Sequence, residues 1–153
     1  MGAYSLMAAL GPARAFVVAV EPGFASYATL CENVAHNRAD DQVVPLPIAL
    51  SDRTGVTSFN YRDTGSGEAM HGMGEEGAGS AMFRQSIVTV TLDELVERFG
   101  LRTPNPLKLD VDGAVAGALE AGGLERTQRT DRRVKHDQVM DHWYELWTRP
   151  DPG

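Results

Sequence analysis

The sequence of 153 residues contains one cysteine, Cys31. A single cysteine excludes an internal disulfide and a multi-cysteine metal site, and we predict no metal at any other position. Such a chain suits a reducing, cytoplasmic compartment. Its length allows one domain that can bury a core without disulfides.

Long hydrophobic runs are also missing. The sequence has no stretch of about 18 apolar residues, so we expect no transmembrane helix. The first ten residues are apolar but carry no basic residue, and Gly11-Pro12 follows them. We therefore predict a short helix there and not a signal peptide.

Basic residues are scarce, with 14 lysines and arginines against 21 acidic residues and a net charge of −7. This excess lies before Leu124, because the remaining residues carry six charges of each sign. An acidic body argues against nucleic-acid binding, which needs clustered lysines and arginines. The arginine-rich segment 126–135 is interleaved with acidic residues, and we interpret it as a solvated face. We expect neither a nucleic-acid nor a membrane partner.

Strand-like and helix-like patterns alternate along the chain. Apolar runs predict three strands of a mainly parallel sheet: 16–20, 43–50 and 107–111. We expect 16–20 and 107–111 to be buried, whereas Pro45 and Pro47 make 43–50 irregular or place it partly at an edge. Apolar stripes predict two helices against that sheet: 24–37 and 91–99. Alternating strands and helices predict an α/β, doubly wound fold.

Two regions depart from this alternation. Residues 56–61 and 86–90 predict an antiparallel pair of strands joined by the glycine-rich loop 65–79. A short helix is predicted over 114–121, and an amphipathic helix over 131–148. We divide the chain into an α/β domain, residues 1–123, and a helical tail, residues 124–153.

Acidic residues follow three of the predicted strands: Glu21, Asp52 and Asp110. Each of them alone could cap a helix or solvate a turn. Ligands of doubly wound sheets, however, bind at the carboxyl ends of the strands, and an acid at such an end can hold both ribose hydroxyls. Glu21 fits the ribose position, Asp52 an adenine amino group and Asp110 a reacting group.

Four segments, taken in order, resemble the FkbM-type S-adenosylmethionine-dependent methyltransferases. These are AVEPGFASYATLCENVAHN (19–37), VVPLPIALSDRTGVTSF (43–59), VTLDELV (90–96) and PLKLDVDGA (106–114). The resemblance covers roughly residues 2–121.

The resemblance implies a Rossmann-like class I methyltransferase fold with S-adenosylmethionine as cofactor. It also implies O-methylation of a hydroxyl on a small molecule, sugar or natural product. By motif position, the cofactor-binding residues are Gly2, Glu21, Ser51 and Asp52. The catalytic residues near the methyl group and acceptor are Asp110 and Asp112, of which Asp110 accepts the hydroxyl proton or orients the hydroxyl.

The sequence departs from the family pattern at three places. Of the first strand and its glycine loop only Gly2-Ala3-Tyr4-Ser5 is present, Val115 replaces an acid, and the arginine-rich tail replaces later strands. In the family the first strand lies at the centre of the sheet. Without it, the backbone N–H and C=O groups of the two adjacent strands lose their hydrogen-bond partners, which costs stability. Either those neighbours pair directly, or another chain (as in a homo-oligomer) supplies the partner, or the product folds poorly.

Two alternative functions stay open. A different nucleotide-binding enzyme, such as a nicotinamide oxidoreductase, would also use Glu21 for ribose, but it would need an upstream G-x-G-x-x-G that the sequence lacks. A non-catalytic methyltransferase remnant or interaction module is the other alternative.

Overall fold

The computed structural model describes residues 1–64, 72–74, 78–101, 106–109, 125–127 and 145–148. The described helices are α1 (Ala3–Leu10), α2 (Phe24–His36), a 3-10 turn (Ala78–Ser80) and α3 (Leu92–Phe99). The described strands are β1 (Val17–Val20), β2 (Val43–Leu46), β3 (Ala49–Leu50), β4 (Gly55–Tyr61), β5 (Gly72–Met73), β6 (Phe83–Val90), β7 (Pro106–Leu109), β8 (Glu125–Thr127) and β9 (Glu145–Thr148).

The first part of the fold is a parallel pair of strands covered by two helices. β1 and β2 pair from Val17 opposite Val43 to Val20 opposite Leu46. Residues of α1, α2, β2 and the turn before β2 form one buried cluster: Ala9, Leu30, Val34, Ala39 and Val43. The predicted helix at the amino terminus, the first strand and the helix over 24–37 are confirmed within a few residues.

β1 is less buried than its sequence predicts. All four of its residues are partly exposed, so the prediction of a strand buried on both faces is wrong. Val17 and Ala19 pack against the cluster of α1 and α2. Because side chains alternate along a strand, Val18 and Val20 face the other side of the sheet. Within the described residues β2 is the only strand that pairs with β1.

The predicted strand 43–50 is divided into β2 and β3, which belong to different sheets. Pro47 lies between them and has no backbone N–H for a sheet hydrogen bond. β3 then pairs in parallel with the end of β6, with Ala49 opposite Thr89. The chain therefore leaves the first sheet before Pro47 and enters the second sheet at β3.

The second sheet has the strand order β3-β6-β4-β5. β4 and β6 are antiparallel from Gly55 opposite Thr89 to Tyr61 opposite Phe83, which confirms the predicted antiparallel pair. The core of this sheet consists of Ala49, Phe59, Tyr61 and Ile87, with Met73 packed against it.

α3 begins and ends as its sequence predicts. The Thr91 hydroxyl accepts a hydrogen bond from the Glu94 N–H at 3.2 Å, and Gly100 ends the helix in the left-handed conformation at φ 62°. The Thr91 N–H donates to Thr54 Oγ1, which also contacts the Glu94 carboxylate. α3 is thus fixed to the turn before β4.

The third sheet corrects two predictions. β7 is a strand, but it pairs antiparallel with β9 in the order β7-β9-β8 and does not join a single parallel sheet with 16–20 and 43–50. Glu145–Thr148 is a strand, so the helix predicted over 131–148 is wrong there. Short apolar segments fit both periodicities, and pairing with β7 satisfies the backbone groups of β9. The predicted helix 114–121 lies outside the described residues.

The described elements form a mixed α/β fold with small sheets and few helices, as expected for a methyltransferase domain. None of the described helices has the length and apolar character needed to cross a membrane. The division of the chain at Gly123 stays a prediction.

Candidate functional site

Glu21 follows β1 directly and begins a tight turn into α2. Its N–H donates to the Leu46 carbonyl at 3.0 Å, which continues the pairing of β1 with β2. Its carboxylate Oε1 accepts a hydrogen bond from the Gly23 N–H at 2.9 Å. A Cβ at Gly23 would lie 3.1 Å from that oxygen, so glycine allows this close approach. The turn orients the carboxylate beside the start of the helix.

The pKa of Glu21 is raised above its ordinary value. Burial is the main cause, because it penalises the charged form, while the Gly23 N–H and the positive amino group of Met1 act in the opposite direction. Among the described residues Gly23 is the one hydrogen-bond donor to this carboxylate. A partly buried carboxylate with acceptor capacity left can bind two hydroxyl groups.

Gly2 lies close to the same helix. Its φ is 81°, and a Cβ there would lie 2.5 Å from Leu30 Cδ1 of α2. The Asn33 side chain donates to the Met1 carbonyl at 2.8 Å. The Asn33 carbonyl in turn accepts from the Asn37 side chain at 2.8 Å. Gly2 and the amino terminus thus pack against the middle of α2, and the cofactor role of Gly2 stays a prediction.

Tyr61, on β4, reaches the first residue of α2. Its hydroxyl accepts a hydrogen bond from the Phe24 N–H at 3.0 Å and donates to Gln85 Oε1 at 2.6 Å. Burial raises the pKa of this hydroxyl, the Phe24 N–H lowers it, and the charge of Glu21 raises it further. The sequence analysis did not single out Tyr61 or Gln85, although the alternation in 56–61 places Phe59 and Tyr61 on one face.

Ser51 and Asp52 follow β3, as predicted for residues at a strand end. The Ser51 N–H donates to the Val90 carbonyl at 3.1 Å, and its hydroxyl donates to Asp52 Oδ1 at 3.0 Å. Asp52 is exposed, and in the described part of the chain it makes no direct contact with Glu21. The structure therefore brings Ser51 and Asp52 together but shows no contact between them and the Glu21 turn.

Asp110 and Asp112 lie outside the described residues. The described strand β7 ends at Leu109, directly before Asp110 in the sequence. Lys108 Nζ lies 3.9 Å from the centre of the Tyr4 ring on α1. The strand that leads to Asp110 is thus in contact with the helix that begins beside Gly2.

An open surface cleft of about 510 Å³ lies along α2 and β2, away from these residues. It is lined by Cys31, Val34, Ala35, Asp40, Val43, Val44 and Pro45. None of these residues belongs to the Glu21 turn, so we do not assign the cleft to the candidate site. The residues that the structure describes contain no group of three or more potential metal ligands.

The chain is similar in sequence to known methyltransferases. The sequence profile of the methyltransferase FkbM domain matches residues 3–141. The hexuronic acid methyltransferase AglP of Haloferax volcanii is 34% identical over 100 residues, which are 65% of this chain and 38% of that protein. The chain thus spans well under half the length of this relative. No solved structure matches the chain.

The matched profile covers most of the chain, and the relative carries the name of a methyltransferase. The mixed α/β fold is consistent with a methyltransferase domain. The chain belongs to the FkbM methyltransferase family.

Proposed function

We propose that the chain binds S-adenosylmethionine and transfers its methyl group to a hydroxyl oxygen of a small molecule, sugar or natural product. Membership of the FkbM methyltransferase family supports the reaction class. The relative named for hexuronic acid supports a sugar acid as one acceptor class. The observation that carries the proposal is the Glu21 carboxylate, which lies at the carboxyl end of a parallel strand and is oriented by the Gly23 N–H.

The Glu21 carboxylate fits the ribose of the cofactor, because it is partly buried and has acceptor capacity beyond its bond to the Gly23 N–H. Glu21 accepts the two ribose hydroxyls in this proposal, since a carboxylate can accept two hydrogen bonds at once. Ser51 and Asp52 lie at the adenine, and Gly2 belongs to the loop that meets the amino-acid end of the cofactor. These roles assume a Rossmann-like arrangement in which the strand ends face one ligand.

Methyl transfer from a sulfonium is an in-line displacement, and the bound cofactor supplies the electrophilic methyl group. The chain aligns the acceptor oxygen with that methyl group. Asp110 would orient the hydroxyl, or take its proton while the C–O bond forms and the C–S bond of the sulfonium breaks to release a neutral thioether, with Asp112 beside the acceptor. An Asp with an ordinary pKa near 3.9 is a weak base for an alcohol, so orientation is its main role unless burial raises that pKa.

The alternative is a non-catalytic remnant or interaction module, and one observation favours it. Within the described residues β1 pairs with β2 alone, and its residues are partly exposed. A second copy of the chain could supply a neighbour for β1, as a homo-oligomer would. For the proposed methyltransferase we also expect a cytoplasmic location and no nucleic-acid partner.

The test is calorimetric titration of S-adenosylmethionine into this chain and into a chain extended before Gly2 by an apolar-apolar-Asp-x-Gly strand and loop. We expect weak binding by the chain alone and an affinity at least about tenfold higher after extension, because the added loop supplies amide donors for the cofactor carboxylate. Low-micromolar binding by the chain alone would show that it does not need this strand.

The ribose assignment is tested in the extended chain with Glu21→Gln and the control Glu32→Gln. Glu32 is exposed on α2, whereas Glu21 lies at the strand end. Losing a charged hydrogen bond costs about 1.5–3 kcal/mol, so Glu21→Gln lowers affinity by about tenfold or more. Equal effects of the two substitutions would refute the role of Glu21.

A further inference from the structure

The antiparallel pair β4 and β6 interrupts the alternation of strands and helices, and none of the proposed cofactor or catalytic residues lies on it. One of its side chains nevertheless reaches the start of α2, directly after the turn that carries Glu21. Tyr61 is the last residue of β4, and it also contacts Gln85 on β6. The hydrogen bond between Tyr61 and Phe24 joins the antiparallel sheet to the candidate site.

Tyr61 provides a cap that α2 lacks in its own sequence. The residue before the helix is Gly23, which has no side chain to accept a hydrogen bond. The first N–H groups of a helix have no acceptor within the helix. The Tyr61 hydroxyl accepts the N–H of Phe24, the first residue of α2. A residue distant in sequence therefore takes the role of an N-cap.

The Tyr61 hydroxyl is itself held in place. It donates to Gln85 Oε1 at 2.6 Å, and the residue is only 2% exposed. Its ring centre lies 4.9 Å from that of Phe59 and 5.2 Å from that of Phe24. With ring packing on two sides and hydrogen bonds at the hydroxyl, the side chain has little freedom to follow a shift of the turn.

Two consecutive N–H groups of the turn therefore have fixed acceptors. The Gly23 N–H donates to Glu21 Oε1, and the Phe24 N–H donates to Tyr61. The path of the backbone from Glu21 to Phe24 sets the direction of the Gly23 N–H, and this N–H orients the carboxylate.

We propose that Tyr61 is a positioning residue for Glu21. The Tyr61 hydroxyl fixes the turn, so that the Glu21 carboxylate meets the ribose hydroxyls of the cofactor. This inference rests on the proposed function. It gives the antiparallel pair a role in cofactor binding without direct contact between Tyr61 and the ligand.

The experiment compares adenosine with 2′-deoxyadenosine by NMR titration of the 153-residue chain. Adenosine lacks the amino-acid end of the cofactor, so this probe does not depend on the glycine loop. We expect wild-type protein to prefer adenosine by about tenfold, the value of one charged hydrogen bond. Tyr61→Phe keeps the ring, and we expect it to reduce the preference to about threefold or less.

Tyr27→Phe is the matched control, since Tyr27 lies on the same helix, whereas the hydrogen bonds of the described turn go to Glu21 and Tyr61. It should keep the full preference. Glu21→Gln should abolish the preference, and adding Tyr61→Phe to it should change nothing further, because both substitutions act on the same contact. Hydrogen exchange of the Phe24 amide should be faster in Tyr61→Phe than in wild type.

The outcomes separate the two proposals. If Glu21→Gln abolishes the preference and Tyr61→Phe leaves it unchanged, Tyr61 is merely structural and this inference is wrong, while the ribose role of Glu21 stands. A lower melting temperature of Tyr61→Phe with an unchanged preference would overturn the inference in the same way. If wild-type protein shows no preference for adenosine, the ribose role fails and the inference fails with it.

Discussion

Strand β1 of the parallel pair and the antiparallel sheet around β4 and β6 differ in burial, although Val43 on β2, the partner of β1, is itself buried. The residues of β1 are all partly exposed, whereas Phe59, Tyr61 and Ile87 of the antiparallel sheet are buried. Antiparallel neighbours pair through a nearby turn, but parallel strands need crossover elements and cover on both faces. The parallel pair therefore depends on surrounding structure more than the antiparallel sheet does.

The candidate site lies on the less buried of these regions. Glu21 ends β1, and the contact that fixes its turn comes from the antiparallel sheet through Tyr61. Regions that bind ligands are often the less stable parts of a fold. Here the better-packed region supplies part of the order that the site needs.

The largest expected effect tests this difference in burial directly. Ile87 on β6 is 4% exposed, and Ile87→Ala should lower the free energy of unfolding by about 2–5 kcal/mol. Val88→Ala is the control on the opposite face, where the side chain is 48% exposed, and it should cost about 0.5 kcal/mol or less. Urea denaturation followed by circular dichroism measures both.

A substitution in β1 tests whether the parallel pair contributes less packing energy than the antiparallel sheet. Val18 is partly exposed, so Val18→Ala should cost clearly less than Ile87→Ala. Equal losses for the two substitutions would show that the parallel pair contributes as much packing energy as the antiparallel sheet.

Local pattern predicted most of the individual elements. The stripe of α2, the valine run of β1 and the Thr91 cap of α3 depend on neighbouring residues, and the structure confirms them. Pairing between distant segments was not predictable in this way. β7 and β9 are both short apolar segments, and only their antiparallel pairing distinguishes a strand from a helix at 145–148.

The candidate site shows the same division. Glu21 directly follows a strand, as its sequence position indicates, whereas the cofactor roles of Glu21 and Gly2 stay predictions. The role of Tyr61 depends on a hydrogen bond across 37 positions of sequence, which no local pattern contains. Ser51 and Asp52 occupy a strand end as expected, but that strand belongs to the second sheet.

A smaller effect is expected at Gly23, where the turn of the parallel pair requires space. A Cβ there would lie 3.1 Å from Glu21 Oε1, while the backbone (φ −75°, ψ 119°) suits any residue. Gly23→Ala should therefore shift the carboxylate and weaken adenosine binding by about fivefold, equivalent to roughly 1 kcal/mol. NMR titration measures this change.

Gly79→Ala is the matched control, because nothing lies within 4 Å of a Cβ at that position. It should leave adenosine binding unchanged. If Gly23→Ala binds adenosine as well as Gly79→Ala does, the close approach of Gly23 to the carboxylate has no part in ligand binding.

The smallest expected effect is that of Glu21→Gln on the free energy of unfolding. This substitution should weaken cofactor binding but stabilise the fold. Burial raises the pKa of folded Glu21 above its unfolded value near 4.5. Between these two pKa values the folded state binds more protons than the unfolded state, so stability falls as pH rises through the folded pKa. At pH 7 the ionised carboxylate therefore costs stability, and Glu21→Gln should unfold at a higher urea concentration than wild type.

This advantage of Glu21→Gln should vanish as the pH is lowered below 4.5, where the wild-type side chain is neutral in both states. An advantage that grows on acidification would mean that the Gly23 N–H and the Met1 amino group outweigh burial and that the carboxylate is stabilised by its surroundings.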